Sequence, residues 1–241
     1  VSTIDPGSGG YTSIQVPVSS LDLFVSYHDF NNDWLNFAKS TDGGASWALS
    51  TIDNGTDVGQ FSSLSALTTS DLFISYHDNG NGDLLFAKSV NGGDSWTIST
   101  VDAGPVNVGE YSSIHVANAS VAFISYYEST FDNLKFALTT DGGVTWTTST
   151  IDASGNVGLN TSIDAANSTV IFIGYRDTTN TNLKFAESID RGLSWATSTV
   201  DSTGAVGLWC SLEAIDTKQA AISYFDNTNN TLKFAIRESW S

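Results

Sequence analysis

The chain has 241 residues, 40% of them hydrophobic and 12% aromatic, which is enough for a substantial core and unlike a disordered chain. Its 26 acidic side chains outnumber its 9 basic ones, and the formal net charge of -17 would repel phosphate backbones and anionic lipid surfaces. Nucleic acid and membrane insertion are therefore excluded as expectations, whereas cations, neutral polar ligands and sugars remain open.

In chain order, a strand-like segment at residues 1–10 precedes five repeats, which cover 11–60, 61–110, 111–159, 160–208 and 209–241. The repeats are anchored by a tyrosine that recurs every 49 or 50 residues, as Tyr27, Tyr76, Tyr126, Tyr175 and Tyr224. An acid follows two positions after each tyrosine: Asp29, Asp78, Glu128, Asp177 and Asp226. A fixed period of this length predicts a repeat architecture.

Each repeat contains four strand-like runs. In the second repeat these are SSLSALTT, DLFISYH, DLLFAKS and SWTISTVD, separated by turns rich in Gly, Asn and Asp. No segment carries a helical period with caps. Four short strands in about fifty residues are typical of a propeller blade. The sequence therefore predicts an all-β protein, a single five-bladed β-propeller over 1–241 with four antiparallel strands per blade.

The two ends of the sequence complement each other. The last repeat stops at RESWS without a fourth strand, while the chain opens with VSTID, a fourth strand without a blade. Joined end to end, Trp240 to Asp5 reproduces the pattern of Trp47 to Asp53. We therefore expect the N-terminal strand of residues 1–10 to complete the fifth blade and close the ring.

The turn between the third and fourth strands carries a repeated motif, STDGGASW in the first repeat. It resembles the Asp box, Ser-x-Asp-x-Gly-x-Ser/Thr-Trp, of sialidase-type (BNR-repeat) β-propellers. We call the four copies the acidic turns, with key residues Asp42 and Trp47, Asn91 and Trp96, Asp141 and Trp146, and Asp190 and Trp195. The resemblance implies a structural hairpin on the face away from any ligand, with calcium binding by the carboxylates as the alternative.

The same resemblance argues against sialidase activity. Sialidases hold the sialic acid carboxylate with three arginines, and their usual ring has six blades. This sequence has only Arg176, Arg191 and Arg237, two of which lie in or beside an acidic turn. The chain therefore resembles propeller lectins more than true sialidases, and whether it is an enzyme at all is left open.

Alternation along the first strand of each repeat predicts a polar lining for the axial tunnel. At its mouth we expect Tyr11, Phe61, Tyr111, Asn160 and Trp209, followed by a ring of serines. The third level breaks the symmetry, as Gln15, Ser65, His115, Asp164 and Glu213. Asp164, Glu213 and His115 could form an acid–base pair, a metal site, or only a hydrated polar lining.

The loop after each anchor tyrosine is expected on the same face as the mouth. Predicted ligand contacts are His28, Trp34, His77, Tyr127 and Arg176, because aromatic and amide groups together suit sugars. The acids at positions 29, 78, 128, 177 and 226 are expected to cap their turns. The alternative is metal binding by Asp29, Asp78, Asp177 and Asp226, or by His28 with His77.

These features predict a secreted or cell-surface, lectin-like propeller that binds neutral glycans or polysaccharide opposite the acidic turns. Two alternatives remain: a glycosidase or lyase that uses Asp164, Glu213 and His115, and an adhesion or scaffold module joined to other domains of a larger surface protein. No cofactor is expected, although a structural Ca²⁺ or another ion in the axial tunnel is left open.

Overall fold

The computed structural model describes residues 3–7 and 9–238, and every regular element within them is a β-strand. The first sheet contains β1 (Gly10–Gln15), β2 (Leu23–Asp29), β3 (Trp34–Ser40) and β4 (Ala48–Asp53). The second contains β5 (Val58–Ala66), β6 (Leu72–Asp78), β7 (Asp83–Ser89) and β8 (Thr97–Asp102). The third contains β9 (Val108–Asn118), β10 (Val121–Glu128), β11 (Asn133–Thr139) and β12 (Thr147–Asp152).

The fourth sheet contains β13 (Val157–Ala165), β14 (Ile171–Asp177), β15 (Asn182–Ser188) and β16 (Ala196–Asp201). The fifth has three strands, β17 (Leu208–Ala214), β18 (Gln219–Asp226) and β19 (Thr231–Glu238). All neighbours in each sheet are antiparallel and consecutive in sequence. In the part of the chain described, no helix is long and apolar enough to span a membrane. The predicted all-β class is confirmed, and the five sheets are consistent with five blades.

The core lies between consecutive sheets, where the same contacts recur. In every sheet after the first, the anchor tyrosine donates a hydrogen bond to the aspartate that ends the previous sheet, as Tyr76 does to Asp53 Oδ2 at 2.8 Å and Tyr175 to Asp152 Oδ2 at 2.7 Å. A phenylalanine also packs edge-on against the next acidic turn's tryptophan, as Phe37 does against Trp96. The acidic-turn tryptophans thus contribute to packing between sheets.

The N-terminal segment makes the same contacts with the first sheet. Tyr27 donates to Asp5 Oδ2 at 2.8 Å, and Ile4 packs on the cluster that contains Val25 and Tyr27. In the described range, however, residues 3–7 form no strand, and β19 pairs only with β18. The predicted fourth strand of the fifth sheet also involves residues 1, 2 and 239–241, which lie outside the described residues.

Among the described residues, apolar side chains of the first and fifth sheets are exposed where the ring was predicted to close. Phe234 is 65% exposed, whereas its repeat counterparts, Phe37, Phe86, Phe136 and Phe185, are all buried. Ile14 of β1 is likewise exposed, although the matching Ile114 and Ile163 are buried. The described residues therefore do not close the ring, and they leave complementary apolar faces where closure was predicted.

Candidate functional site

The five residues predicted at the tunnel mouth line one cavity of about 280 Å³. All five have a left-handed backbone: φ is 49° at Tyr11, 52° at Phe61, 55° at Tyr111, 51° at Asn160 and 48° at Trp209. Each strand shifts register at this residue, so the mouth is built on five β-bulges. Aromatic side chains are strained in this conformation, and such strain is concentrated at functional sites.

The mouth is a surface of neighbouring, mutually tilted aromatic rings that is partly open to solvent. The ring centroids of Tyr11 and Phe61 are 4.5 Å apart, as are those of Phe61 and Tyr111. Trp209 is 70% exposed and Tyr11 is 41% exposed. Tyr111 is more buried, and this burial raises the pKa of its phenol. The arrangement therefore offers an apolar platform with a polar member, Asn160.

Small polar side chains hold the bulges in place. Ser62 Oγ donates to the carbonyl of Tyr11 at 2.8 Å, and Ser112 Oγ donates to that of Phe61 at 2.9 Å. Cys210 Sγ makes the matching contact with the carbonyl of Asn160. Sequence reasoning missed these residues, although a small polar residue directly after each mouth position was the available signal.

The residues that follow the anchor tyrosines lie behind the mouth. Ring centroids are 6.0 Å apart for Tyr11 and His28, and 6.3 Å apart for Tyr111 and Tyr127. His28, His77 and Tyr127 are almost fully buried. These three residues were predicted to contact a ligand directly. In the structure they are instead buried, because the bulged mouth residues pack over them.

The two remaining predicted contacts of this set, Arg176 and Trp34, are only partly buried. Arg176 is half-buried, its Nε has no hydrogen-bond partner in the described part of the chain, and burial lowers its pKa. Trp34 is also half-buried, at the start of β3. Phe30, which sequence reasoning did not single out, lies beside the mouth, 6.1 Å from the Tyr11 ring.

His28 and His77, considered above as a paired metal site, have different neighbours. His77 Nε2 lies 2.9 Å from Asn107 Oδ1 in a hydrogen bond. Burial lowers the pKa of His28, against the opposing effect of nearby Asp33 and Asp57. No metal-competent group among the described residues includes both histidines.

The acids two positions after the anchor tyrosines cap their turns. Asp29 Oδ1 accepts the Asn31 N–H at 2.9 Å, and Asp177 Oδ1 accepts the Asn180 N–H at 2.9 Å. The second oxygen of each accepts a side-chain amide, as Asp226 Oδ2 does from Asn229 at 2.9 Å. Asp78 makes the same contacts. These contacts match the capping interpretation.

All five residues of the third level of the predicted tunnel, including Gln15 and Ser65, line a second cavity of about 440 Å³. His115 Nδ1 lies 2.6 Å from Asp164 Oδ1, and Asp164 Oδ2 accepts the Ala214 N–H at 2.7 Å. Burial would raise the pKa of Asp164, but these hydrogen bonds outweigh it and hold the pKa below its usual range. Asp164 is thus committed to His115, while Glu213 is exposed in the same cavity.

This arrangement bears on both chemical alternatives for the tunnel. An aspartate that orients Nδ1 of a histidine leaves Nε2 as the reactive nitrogen, which could act with Glu213 in proton transfer. Within the described residues, however, no group of three metal-ligating side chains includes His115, Asp164 or Glu213.

The acidic turns are self-contained. Asp42 Oδ1 accepts from Ser40 Oγ and the Ser46 N–H, and Asp42 Oδ2 accepts from Ser46 Oγ. Hydrogen bonds led by those from residue 46, 145 or 194 lower the pKa of Asp42, Asp141 and Asp190 to about 2. Asn91 makes the equivalent contacts through its amide. These contacts favour a structural turn over calcium ligation.

No family profile matches this chain, and no curated protein does. Solved structures similar to it include an ulvan lyase, described as a polysaccharide lyase, at TM-score 0.67 and 12% identity, covering 95% of this chain and 64% of that one. A Hadza microbial sialidase matches at TM-score 0.60 and 15% identity, over 95% and 52% of the two chains. The α-L-arabinofuranosidase of Fusarium graminearum, in complex with arabinobiose, matches at TM-score 0.59 and 12% identity, over 96% and 93%.

At these identities the likeness establishes the fold alone, a β-propeller. The chain spans only about half the length of that sialidase.

Proposed function

We propose that this chain is a carbohydrate-binding, lectin-like β-propeller that takes neutral glycans at the mouth formed by Tyr11, Phe61, Tyr111, Asn160 and Trp209. The observation that carries the proposal is the mouth itself, where five left-handed residues present aromatic rings and one amide around a single cavity. Its volume, about 280 Å³, is near the lower end for ligand pockets.

The chemistry of the mouth suits a sugar. Aromatic faces pack against the C–H side of a pyranose, while an amide such as Asn160 both donates and accepts hydrogen bonds with hydroxyls. The net charge of -17 disfavours anionic glycans, so a neutral one is the expected ligand. Bulges held by Ser62 and Ser112 keep the platform rigid, which reduces the entropy lost on binding.

The similar structures support a carbohydrate ligand. Their names describe a polysaccharide lyase, a sialidase and an arabinofuranosidase in complex with arabinobiose. Because identity is 12–15%, they support the class of ligand and not a particular sugar.

A second candidate is a glycosidase or lyase. It is favoured by the His115–Asp164 pair at 2.6 Å, which shares a cavity with the exposed Glu213. A purely structural adhesion module is the outcome if neither binding nor turnover is found.

We also propose that the ring is closed by its own N-terminus, with residues 1–10 completing the fifth blade. The bond from Tyr27 to Asp5 supports this, because it repeats the bonds from Tyr76 to Asp53 and from Tyr175 to Asp152. The exposed Phe234 supports it as well, since its counterparts are buried against a following sheet.

A secreted or cell-surface location, with other domains of a larger surface protein as neighbours, fits this function. A structural ion in the axial tunnel remains part of the proposal.

Glycan-array binding of four proteins tests the function: wild type, Trp209→Ala, Phe131→Ala and Glu213→Gln. Phe131 is the matched control, an exposed aromatic in a different turn. We expect a neutral glycan to bind wild type, Phe131→Ala and Glu213→Gln, and to be lost in Trp209→Ala. Turnover of a polysaccharide that Glu213→Gln abolishes would replace lectin with enzyme. If no glycan binds any of the four proteins, the adhesion module is the remaining interpretation.

A further inference from the structure

His28 is a buried imidazole whose two nitrogens have no hydrogen-bond partner within the described residues. The residue is 2% exposed, and both Nδ1 and Nε2 are inaccessible to solvent. The rings of Tyr11 and Phe30 flank it, with centroids 6.0 and 5.1 Å away. Buried polar groups are nearly always satisfied, so an unpartnered imidazole calls for a ligand.

Two carboxylates lie next to this imidazole. Donor atoms of His28, Asp33 and Asp57 all lie within 4.8 Å of one another. His28 Nε2 is 3.9 Å from Asp33 Oδ1, which is too far for a hydrogen bond. Both oxygens of Asp57 accept side-chain amides, Oδ1 from Gln60 at 2.8 Å and Oδ2 from Asn79, which fixes the orientation of this carboxylate. The Val58 N–H donates to the Asp33 carbonyl at 2.9 Å, which links the two acidic residues through the backbone.

The next junction between sheets shows the alternative arrangement. The backbone contact there joins Val108 to Gly82, so Gly82 and Asn107 take the places of Asp33 and Asp57. At that junction His77 Nε2 pairs directly with Asn107 Oδ1 at 2.9 Å, and only His77 Nδ1 has no partner among the described residues.

A third junction also satisfies its buried residue directly. Tyr127 donates to Asp132 and lies 3.3 Å from Asn156, which takes the place of Asp57. Of these three junctions, only the first combines an unpartnered imidazole with two carboxylates, at a spacing that leaves room between them.

We propose that His28 Nε2, with one carboxylate oxygen each from Asp33 and Asp57, binds a divalent transition-metal ion of the Zn²⁺ type. An imidazole ligand disfavours Ca²⁺ and Mg²⁺, which prefer oxygen, whereas nitrogen with carboxylate oxygen suits zinc. Zinc bonds of about 2.0–2.2 Å would bring the donors roughly 3.3 Å apart. Asp33 can close this distance by side-chain rotation, because its side chain is 57% exposed.

This site differs from the metal sites predicted from the sequence. It uses neither the turn-capping acids nor the tunnel residues, and it does not depend on the proposed glycan binding. Its solvent side lies at Asp33, where water would complete the coordination.

The test uses ZnCl₂ and protein without a histidine tag, stripped with chelator and dialysed. Calorimetry should give one Zn²⁺ per chain, and a hundredfold excess over Kd should raise Tm by about 5–10 °C. The chain has only three histidines, so long-range ¹⁵N NMR can follow each imidazole. We expect the His28 Nε2 resonance to shift while those of His77 and His115 stay unchanged.

Two variants remove one carboxylate ligand each and keep a side chain of similar size in its place. Asp33→Asn keeps a residue that tolerates the φ of 59°, as Asn230 does at 54° in the last repeat. Asp57→Asn with Gln60→Glu reproduces the His77 junction, where Asn107 contacts Glu110. Because loss of outer partners alone costs about 10–100-fold, each variant should lose at least about 100-fold in Zn²⁺ affinity. Asp94→Asn, an exposed acid elsewhere, should bind as wild type does.

Three results would overturn the proposal: no Zn²⁺ uptake by wild type, unchanged affinity in both site variants, or a shift at His115 or His77 in place of His28.

Discussion

Gly44 and Gly143 occupy matching positions in two acidic turns, but their surroundings differ. Their φ angles are 88° and 92°. A Cβ added to Gly143 would lie 2.3 Å from Phe86 Cε1, in the core between two sheets. A Cβ on Gly44 would meet nothing nearer than Leu23 Cδ1 at 3.2 Å, because its own phenylalanine partner would be the exposed Phe234.

The magnitudes follow from these contacts. Alanine at such φ angles costs about 1–2 kcal/mol at either position. At Gly143 overpacking adds about 1–3 kcal/mol, because Phe86 is buried and cannot move aside. Gly143→Ala should therefore lose about 2–5 kcal/mol, and each kcal/mol lowers Tm by about 2–4 °C. A ring closed by Phe234 imposes the same total on Gly44→Ala.

Thermal and urea unfolding of wild type, Gly44→Ala, Gly143→Ala, Phe234→Ala and Gly44→Ala/Phe234→Ala measure this. We expect the first two to lose similar stability, and Phe234→Ala to relieve the overpacking part at Gly44 in a double-mutant cycle. If Gly44→Ala shows only the backbone cost and does not couple to Phe234, the ring is not closed there. If Gly143→Ala is also mild, the overpacking estimate itself is wrong.

Acid stability should depend on Asp152: burial would raise its pKa, but hydrogen bonds led by that from Lys184 outweigh this and hold the pKa at about 2. Its folded pKa lies below the ordinary value, so its contribution is present above about pH 4 and falls as pH drops towards 2. Between pH 6 and pH 2.5, urea unfolding should show wild type losing about 1–2 kcal/mol more than Asp152→Asn; equal losses would contradict this. Cys210→Ser should leave Tm nearly unchanged, because a serine hydroxyl makes the matching contact at Ser62. Ser62→Ala should cost about 1–3 kcal/mol, since it leaves the buried Ser26 and the Tyr11 carbonyl without this partner. Burial also raises the pKa of the Cys210 thiol to about 12, so labelling by a thiol reagent should be slow until the protein unfolds; rapid labelling of folded protein would contradict this.

Much of the fold and part of the site could be predicted from the sequence, because the repeat period aligns equivalent positions. The tyrosine anchor gave the register, and strand alternation then placed Trp209 with its four counterparts at one mouth and His115 with Asp164 in one cavity. These placements depend on local strand geometry, which is the same in each of the five repeats.

The rest depends on contacts between different sheets. The buried His77 forms a hydrogen bond with Asn107, thirty residues away, and no local sequence pattern predicts that contact. The left-handed bulge at Tyr11 depends on a hydroxyl from Ser62 in the next sheet. The grouping of His28 with Asp33 and Asp57 likewise joins side chains from β2 and two separate turns.

The central claim, that the aromatic mouth binds a neutral glycan, is tested most directly by calorimetric titration with the glycan that the array selects. Wild type and Phe131→Ala should bind with equal Kd, and Trp209→Ala should bind at least about tenfold more weakly at unchanged Tm, as the loss of one aromatic platform implies. Equal affinity in all three proteins would place the ligand elsewhere and contradict the account.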